Sequence, residues 1–120
     1  MESSDAVAAL AALAQDSRLQ VFRLLVQAGP EGLAAGRIGD ALHLPGATLS
    51  FHLTQLRTAG LVTFRRDGRS LIYVAEYGAM NALIGFLTEN CCGGDLGACM
   101  PKQGGACTPA LSAKSKRLPT

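Results

Sequence analysis

His43-Leu44-Pro45-Gly46-Ala47-Thr48-Leu49-Ser50-Phe51-His52-Leu53-Thr54-Gln55-Leu56-Arg57-Thr58-Ala59-Gly60-Leu61-Val62 is the stretch whose reading decides the fold. Leu49, Leu53 and Leu56 recur at helical spacing and make a narrow apolar stripe. Pro45 suits a first helical turn because its φ is already fixed, and Gly60 can take the left-handed conformation that closes the last turn. The spacing therefore predicts a helix over about residues 45 to 59. Ala47, Thr48, Ser50, Phe51, Thr54 and Gln55 are spread over the rest of its cylinder. Short polar and small side chains there let a helix approach base edges in a DNA major groove, whereas bulk would hold it away. An ordinary surface helix would look the same in isolation, so the flanking sequence has to decide.

On the C-terminal side, residues 61–66 and 70–75 carry strand-forming residues, among them Val62, Phe64, Ile72, Tyr73 and Val74. Asp67-Gly68 between them signals a tight hairpin, since such a turn needs positive φ at its centre. Arg57, Arg65, Arg66 and Arg69 cluster on or beside this hairpin. Arginines so placed suit phosphates flanking a groove, where they add affinity without reading sequence; the competing reading is a solvated charged hairpin.

On the N-terminal side, residues 33–42 form a short helix with Ile38, Ala41 and Leu42 as its buried positions, and Leu44-Pro45-Gly46 turns the chain into the next helix. Together they make a helix-turn-helix. Before it, Asp16 reads as the N-cap of a helix that faces Leu19, Phe22, Leu25 and Val26 inward and Arg18, Gln20, Arg23 and Gln27 outward, stopped by Gly29-Pro30. Residues 5–14 have strong helix propensity, with Ser4 or Asp5 as cap. Their edge of Val7, Leu10 and Leu13 is assigned to a dimer interface, although packing within the domain satisfies the same periodicity. From Tyr77 to about residue 90, Met80, Leu83, Ile84 and Leu87 make another amphipathic stripe, with Phe86 at its margin.

Ser50-Phe51-His52-Leu53-Thr54-Gln55-Leu56-Arg57-Thr58-Ala59-Gly60-Leu61-Val62 resembles the S-x-H-L-x-x-L-x-x-A-G-L-V signature of the ArsR/SmtB family of metal- and metalloid-responsive repressors. Asp16-Ser17-Arg18-Leu19, and Arg65-Arg66-Asp67-Gly68-Arg69 followed by Tyr73, agree with it. The resemblance spans residues 5 to 90 and implies a mainly α fold with a β-hairpin wing (α+β), a homodimeric winged helix-turn-helix. It further implies that the last helix pairs with its counterpart and with the first helix across a two-fold axis; a lone core helix is the competing reading. Two reading helices would then lie about 34 Å apart, facing a palindromic double-stranded operator.

With 120 residues the chain has room for one core. The division expected is residues 1–92 as the DNA-binding and dimerisation domain, and 93–120 as a cysteine-containing segment and flexible tail. The net charge of +2 does not by itself announce nucleic-acid binding, so charge distribution matters more. No apolar run approaches the ~20 residues that span a bilayer, and Met1-Glu2-Ser3-Ser4-Asp5 is unlike a signal peptide. A cytoplasmic location, with thiols held reduced, is the expectation. The basic Lys114-Ser115-Lys116-Arg117 reads as part of a solvated tail.

All four cysteines, Cys91, Cys92, Cys99 and Cys107, fall in the last thirty residues. Cys91 and Cys92 can share one ion only where a helix ends, and Gly93-Gly94 supplies an end. The loop to Cys99 is long enough to return a third sulfur, and Cys107 is available as a fourth. Three thiolates without a supporting histidine or carboxylate set form a soft site. As(III) or Sb(III) as inducer fits that softness; zinc or cadmium, or oxidation sensing, stays open, and a structural zinc site would more often show four ligands with CxxC spacing. Arsenic-responsive members of the resembling family often carry a cysteine pair on the helix before the reading helix. That helix has none here, but other members place arsenic ligands at the end of the last helix. His43 and His52 are read as hydrogen-bonding residues. No catalytic acid, base or phosphate loop is evident, and thiolates near a helix C-terminus are poorly activated as nucleophiles, so an enzyme is not expected. A thiol-dependent metalloid-handling protein is the remote alternative.

Overall fold

The computed structural model describes residues 1–90, of which Met1–Phe86 form one compact unit. Helices α1 (Ser3–Leu13) and α2 (Asp16–Ala28) are followed by a 3-10 turn, Gly29–Glu31, and a two-residue strand β1 (Leu33–Ala34). Helices α3 (Ala35–Leu42) and α4 (Gly46–Thr58), strands β2 (Val62–Asp67) and β3 (Ser70–Ala75), and helix α5 (Tyr77–Leu87) complete the order. The sheet is antiparallel with strand order β1-β3-β2. This is the mainly helical winged helix-turn-helix that the sequence predicts. Among the described residues no helix is long and apolar enough to cross a membrane.

The core gathers one face of each element. Val21, Phe22 and Leu25 of α2, Ile38 of α3, and Leu49, Leu53 and Leu56 of α4 are buried with Leu61, Val62, Tyr73 and Leu83. Fully burying a leucine or valine contributes ~1.5–3 kcal/mol relative to exposure, which fixes α4 on its leucine face. Its C-terminus closes as a Schellman motif: Gly60 has φ +81, its N–H donates to the Arg57 carbonyl, and the Leu61 N–H donates to the Leu56 carbonyl at 3.0 Å. Tyr77 anchors the start of α5 by donating its hydroxyl to the Val26 carbonyl of α2 at 3.1 Å.

Several local expectations are corrected. Helix α1 starts at Ser3, because Glu2 and Asp5 form a reciprocal capping box and neither Ser4 nor Asp5 is the cap. Its core-facing side is Ala6, Ala9 and Ala12, which let the helix approach closely, while Val7 and Leu10, 62% and 43% exposed, stay open as an edge assigned to a dimer interface must. Gln15, not Asp16, caps α2, accepting from the Arg18 N–H at 2.9 Å. Leu19 is exposed and Val21 takes the buried place on α2. Residues 33–34 form a strand, since Leu33 pairs with Tyr73 and Ala34 with Ile72, and Ala41 is exposed. The hairpin turn falls one residue later than expected: Asp67 pairs with Ser70, leaving Gly68, at φ +67, as the first of two loop residues.

Candidate nucleic-acid interface

Helix α4 separates its residues cleanly. Leu49, His52, Leu53 and Leu56 are buried, whereas Ala47, Thr48, Ser50, Phe51, Thr54 and Gln55 are all exposed, Phe51 at 56%. Thr58, which the sequence reading passed over, is exposed on the same outer side. Its position eleven residues after Ala47, three helical turns along one stripe, was the available signal. Thr54 donates its hydroxyl to the Ser50 carbonyl at 2.9 Å, so that proton is committed to the helix's own backbone.

His52 faces the core from this helix. An Arg18 Nη1 donates to its Nδ1 at 3.4 Å, and Arg18 Nε donates to the Ala12 carbonyl at 2.6 Å. A guanidinium can only donate, so Nδ1 is the bare nitrogen and Nε2 carries the proton. Burial first, and the Arg18 charge second, hold the His52 pKa below its ordinary value. Arg18, read from sequence as outward-facing, is therefore partly buried and joins the end of α1 to the back of α4. Phe51 is tilted against the His52 ring with centroids 5.7 Å apart. His43 takes the left-handed conformation at the α3 C-cap, φ 56, and is exposed.

The four arginines divide by partner. Arg65 donates to the Glu31 carbonyl at 3.0 Å and to that of Pro30 at 3.5 Å, tying β2 to the 3-10 turn. Arg57 lies over the Phe64 ring, 4.5 Å from its centroid, tying α4 to β2. Arg66 and Arg69 are exposed, and no hydrogen bond or ion pair holds them among the described residues. On β2, Phe64 and Arg66 alternate onto one face and Arg65 onto the other, so Arg66 shares the side against which Arg57 stacks.

Cys91, Cys92, Cys99 and Cys107, and the boundary expected at residue 92, lie outside the described residues. Among the described residues no three His, Cys, Asp or Glu side chains converge as a metal-ligand set.

A helix-turn-helix domain family model matches residues 13–64. The chain is 32% identical over 90 residues to the transcriptional activator HlyU of Vibrio cholerae, covering 75% of this chain and 81% of that protein. The solved HlyU structure superposes with a TM-score of 0.61, covering 77% of this chain and 99% of the other, and a structure described as reduced HlyU superposes with a TM-score of 0.60, covering 75% and 92%. A homodimeric winged helix-turn-helix DNA-binding domain from Mycobacterium bovis, Mb0332, a candidate ArsR-family regulator, shares 30% identity at a TM-score of 0.58, covering 72% and 81%. A candidate arsenical resistance operon repressor ArsR of Halobacterium salinarum is 40% identical over 63 residues, covering 52% of this chain and 48% of that protein. The chain spans 58% of one curated relative that it matches and 89% of another.

Proposed function

The chain belongs to the ArsR/SmtB family of winged helix-turn-helix transcriptional regulators, and on that premise we propose that it is a homodimeric repressor released from its operator by As(III) or Sb(III) at Cys91, Cys92 and Cys99. The DNA-binding half of this reading rests on the exposed outer face of α4 beside two unengaged wing arginines, Arg66 and Arg69. The metalloid half rests on the donor set: three cysteines within nine residues, beginning four residues after the end of α5, with no histidine among them. Trivalent arsenic and antimony are satisfied by three soft sulfurs, by extension of the ligand-softness rule. Similarity to the Halobacterium ArsR supports the same inducer class.

Exposed apolar side chains on the first and last helices support the homodimer. Val7 and Leu10 of α1 are exposed, as is Ile84 of α5 at 47%, and the related Mb0332 domain is homodimeric. Two copies of α4 would then meet two half-sites of one operator.

A second reading, release by thiol oxidation, is favoured by one observation: HlyU matches more of the chain than the arsenical repressor does, and one of its structures is described as reduced. One titration separates the two. Fluorescence anisotropy of a labelled duplex from the gene's own upstream DNA is measured with reduced protein, then with As(III), Sb(III), Zn(II), Cd(II) or diamide. Release by As(III) or Sb(III), lost in Cys91→Ser, Cys92→Ser and Cys99→Ser, is the expected result. Release by diamide alone would replace the metalloid reading with the redox one, and release by the divalent ions alone would replace it with a soft-metal sensor.

A further inference from the structure

The outer face of α4 is less polar than a base-reading surface of hydroxyls and amides would be. On a helix of about 3.6 residues per turn, Ala47, Phe51, Thr54 and Thr58 fall on one stripe, diametrically opposite Leu49, Leu53 and Leu56. All four are exposed. The Thr54 hydroxyl is turned to the Ser50 carbonyl, which leaves its methyl as the group it presents outward. The centre of the stripe is therefore a methyl, a phenyl ring and a second methyl, flanked by Ser50 on one side and Thr48 and Gln55 on the other.

An exposed phenylalanine at the middle of such a face needs an apolar counterpart to be useful. Its position is also held: the Phe51 ring rests against His52, whose imidazole accepts from Arg18. The major groove offers a single apolar group on its floor, the C5-methyl of thymine, and alanine, threonine methyl and phenylalanine are side chains suited to contact it. Arg66, on the side of β2 where Arg57 of α4 stacks on Phe64, and Arg69 in the hairpin loop supply the positive charge that a groove-bound occupant, flanked by phosphates, requires.

We infer that Phe51, with Ala47 and the Thr54 methyl beside it, reads thymine C5-methyl groups, so that the operator half-site is specified in part by apolar contact. This rests on the DNA-binding reading above and deepens it by naming the feature of the base pair that is read. Ser50, Thr48 and Gln55 remain available for hydrogen bonds at neighbouring positions.

The test uses the full-length reduced protein and a duplex selected from random sequence for tight binding. Each thymine of the footprint is replaced in turn by deoxyuridine, which keeps every Watson–Crick bond and removes only the methyl. Burial of one methyl corresponds to about fourfold in affinity. The expected result is a loss near fourfold at one or more thymines of each half-site, and disappearance of that discrimination in Phe51→Ala, whose fold is checked by circular dichroism. A fully deoxyuridine-substituted duplex that binds as tightly as the thymine duplex would overturn the inference while leaving DNA binding intact. An equal loss in wild type and Phe51→Ala would assign the effect to the DNA itself, and would overturn it too. Failure to select any duplex would instead remove the DNA-binding reading on which the inference stands.

Discussion

Arg18 donates to the Nδ1 of His52 across 3.4 Å, joining the first turn of α2 to the core side of α4. The same guanidinium holds the Ala12 carbonyl near the end of α1, so one side chain connects three helices. Two consequences are measurable.

The first is pH dependence of stability. His52 has a folded-state pKa below its ordinary 6.5, so between those two values the unfolded chain binds more protons than the native one. The His52 contribution is therefore fully present above pH 6.5 and is lost as pH falls through the folded pKa. Urea midpoints should be level above pH 6.5 and decline below it, before the carboxylates begin to titrate. His52→Asn offers Arg18 an acceptor oxygen that does not titrate, and it should flatten the decline. An unchanged pH profile in that variant would locate the dependence elsewhere.

The second concerns Arg18 itself. Arg18→Met keeps much of the stem but leaves both the Ala12 carbonyl and the His52 nitrogen without this donor. Stability should fall by about 1–3 kcal/mol, and Arg18→Lys should rescue only part, because one ammonium lacks the planar fork that reaches both acceptors. Thermal denaturation followed by circular dichroism reads the difference.

Arg65 and Arg66 are neighbours with opposite tasks in prospect. Arg66→Ala, and likewise Arg69→Ala, should lower the slope of log Kobs against log salt by about 0.9 for each phosphate contact removed. Arg65→Ala should leave that slope unchanged and lower the thermal midpoint, because its guanidinium is occupied by the Pro30 and Glu31 carbonyls. A slope reduced by Arg65→Ala would show that the side chain leaves those carbonyls on DNA.

Gly32 is a position that only glycine fits. Its φ is +69, and a Cβ would collide with the Tyr73 carbonyl oxygen and lie 2.8 Å from Val74 Cγ2. Gly32→Ala should destabilise by at least the ~1–3 kcal/mol of a disallowed backbone, with β1 detached from β3. Faster hydrogen exchange at the Tyr73 amide, which faces β1 as its carbonyl does, would accompany the loss, while Ile72, turned toward β2, stays protected.

Metalloid release, if it operates through Cys91, Cys92 and Cys99, must be reciprocal. The operator should weaken As(III) affinity by the same factor by which As(III) weakens operator affinity, with a coupling of about 1–3 kcal/mol. Calorimetric titrations with and without operator test this, and equal affinities in both would end the mechanism.

The helix-turn-helix was legible because its signals are local and redundant. Leu49, Leu53 and Leu56 fix the buried face of α4, and Gly60 fixes its end by the positive φ it must take. β1 was not legible, since two residues carry no periodicity and Leu33 becomes a strand only by pairing with Tyr73, forty residues later. On α1 the outward edge of Val7 and Leu10 was legible and the core-facing side was not, for a related reason. Periodicity marks the larger Val7 and Leu10, but close helix packing selects the smaller Ala6, Ala9 and Ala12. At the interface, the exposed residues of α4 could be read from their spacing, while the partners that distinguish Arg65 from Arg66 depend on a turn thirty-four residues away.

The hairpin is fastened at its base before any DNA arrives, by β1 along β3 and by Arg65 on the 3-10 turn. A wing that is already ordered loses little conformational freedom on docking. The rate of association is then governed by diffusion and charge, and changes in operator sequence are felt mainly as changes in residence time. Variants of the operator should accordingly differ in dissociation rate while sharing nearly one association rate.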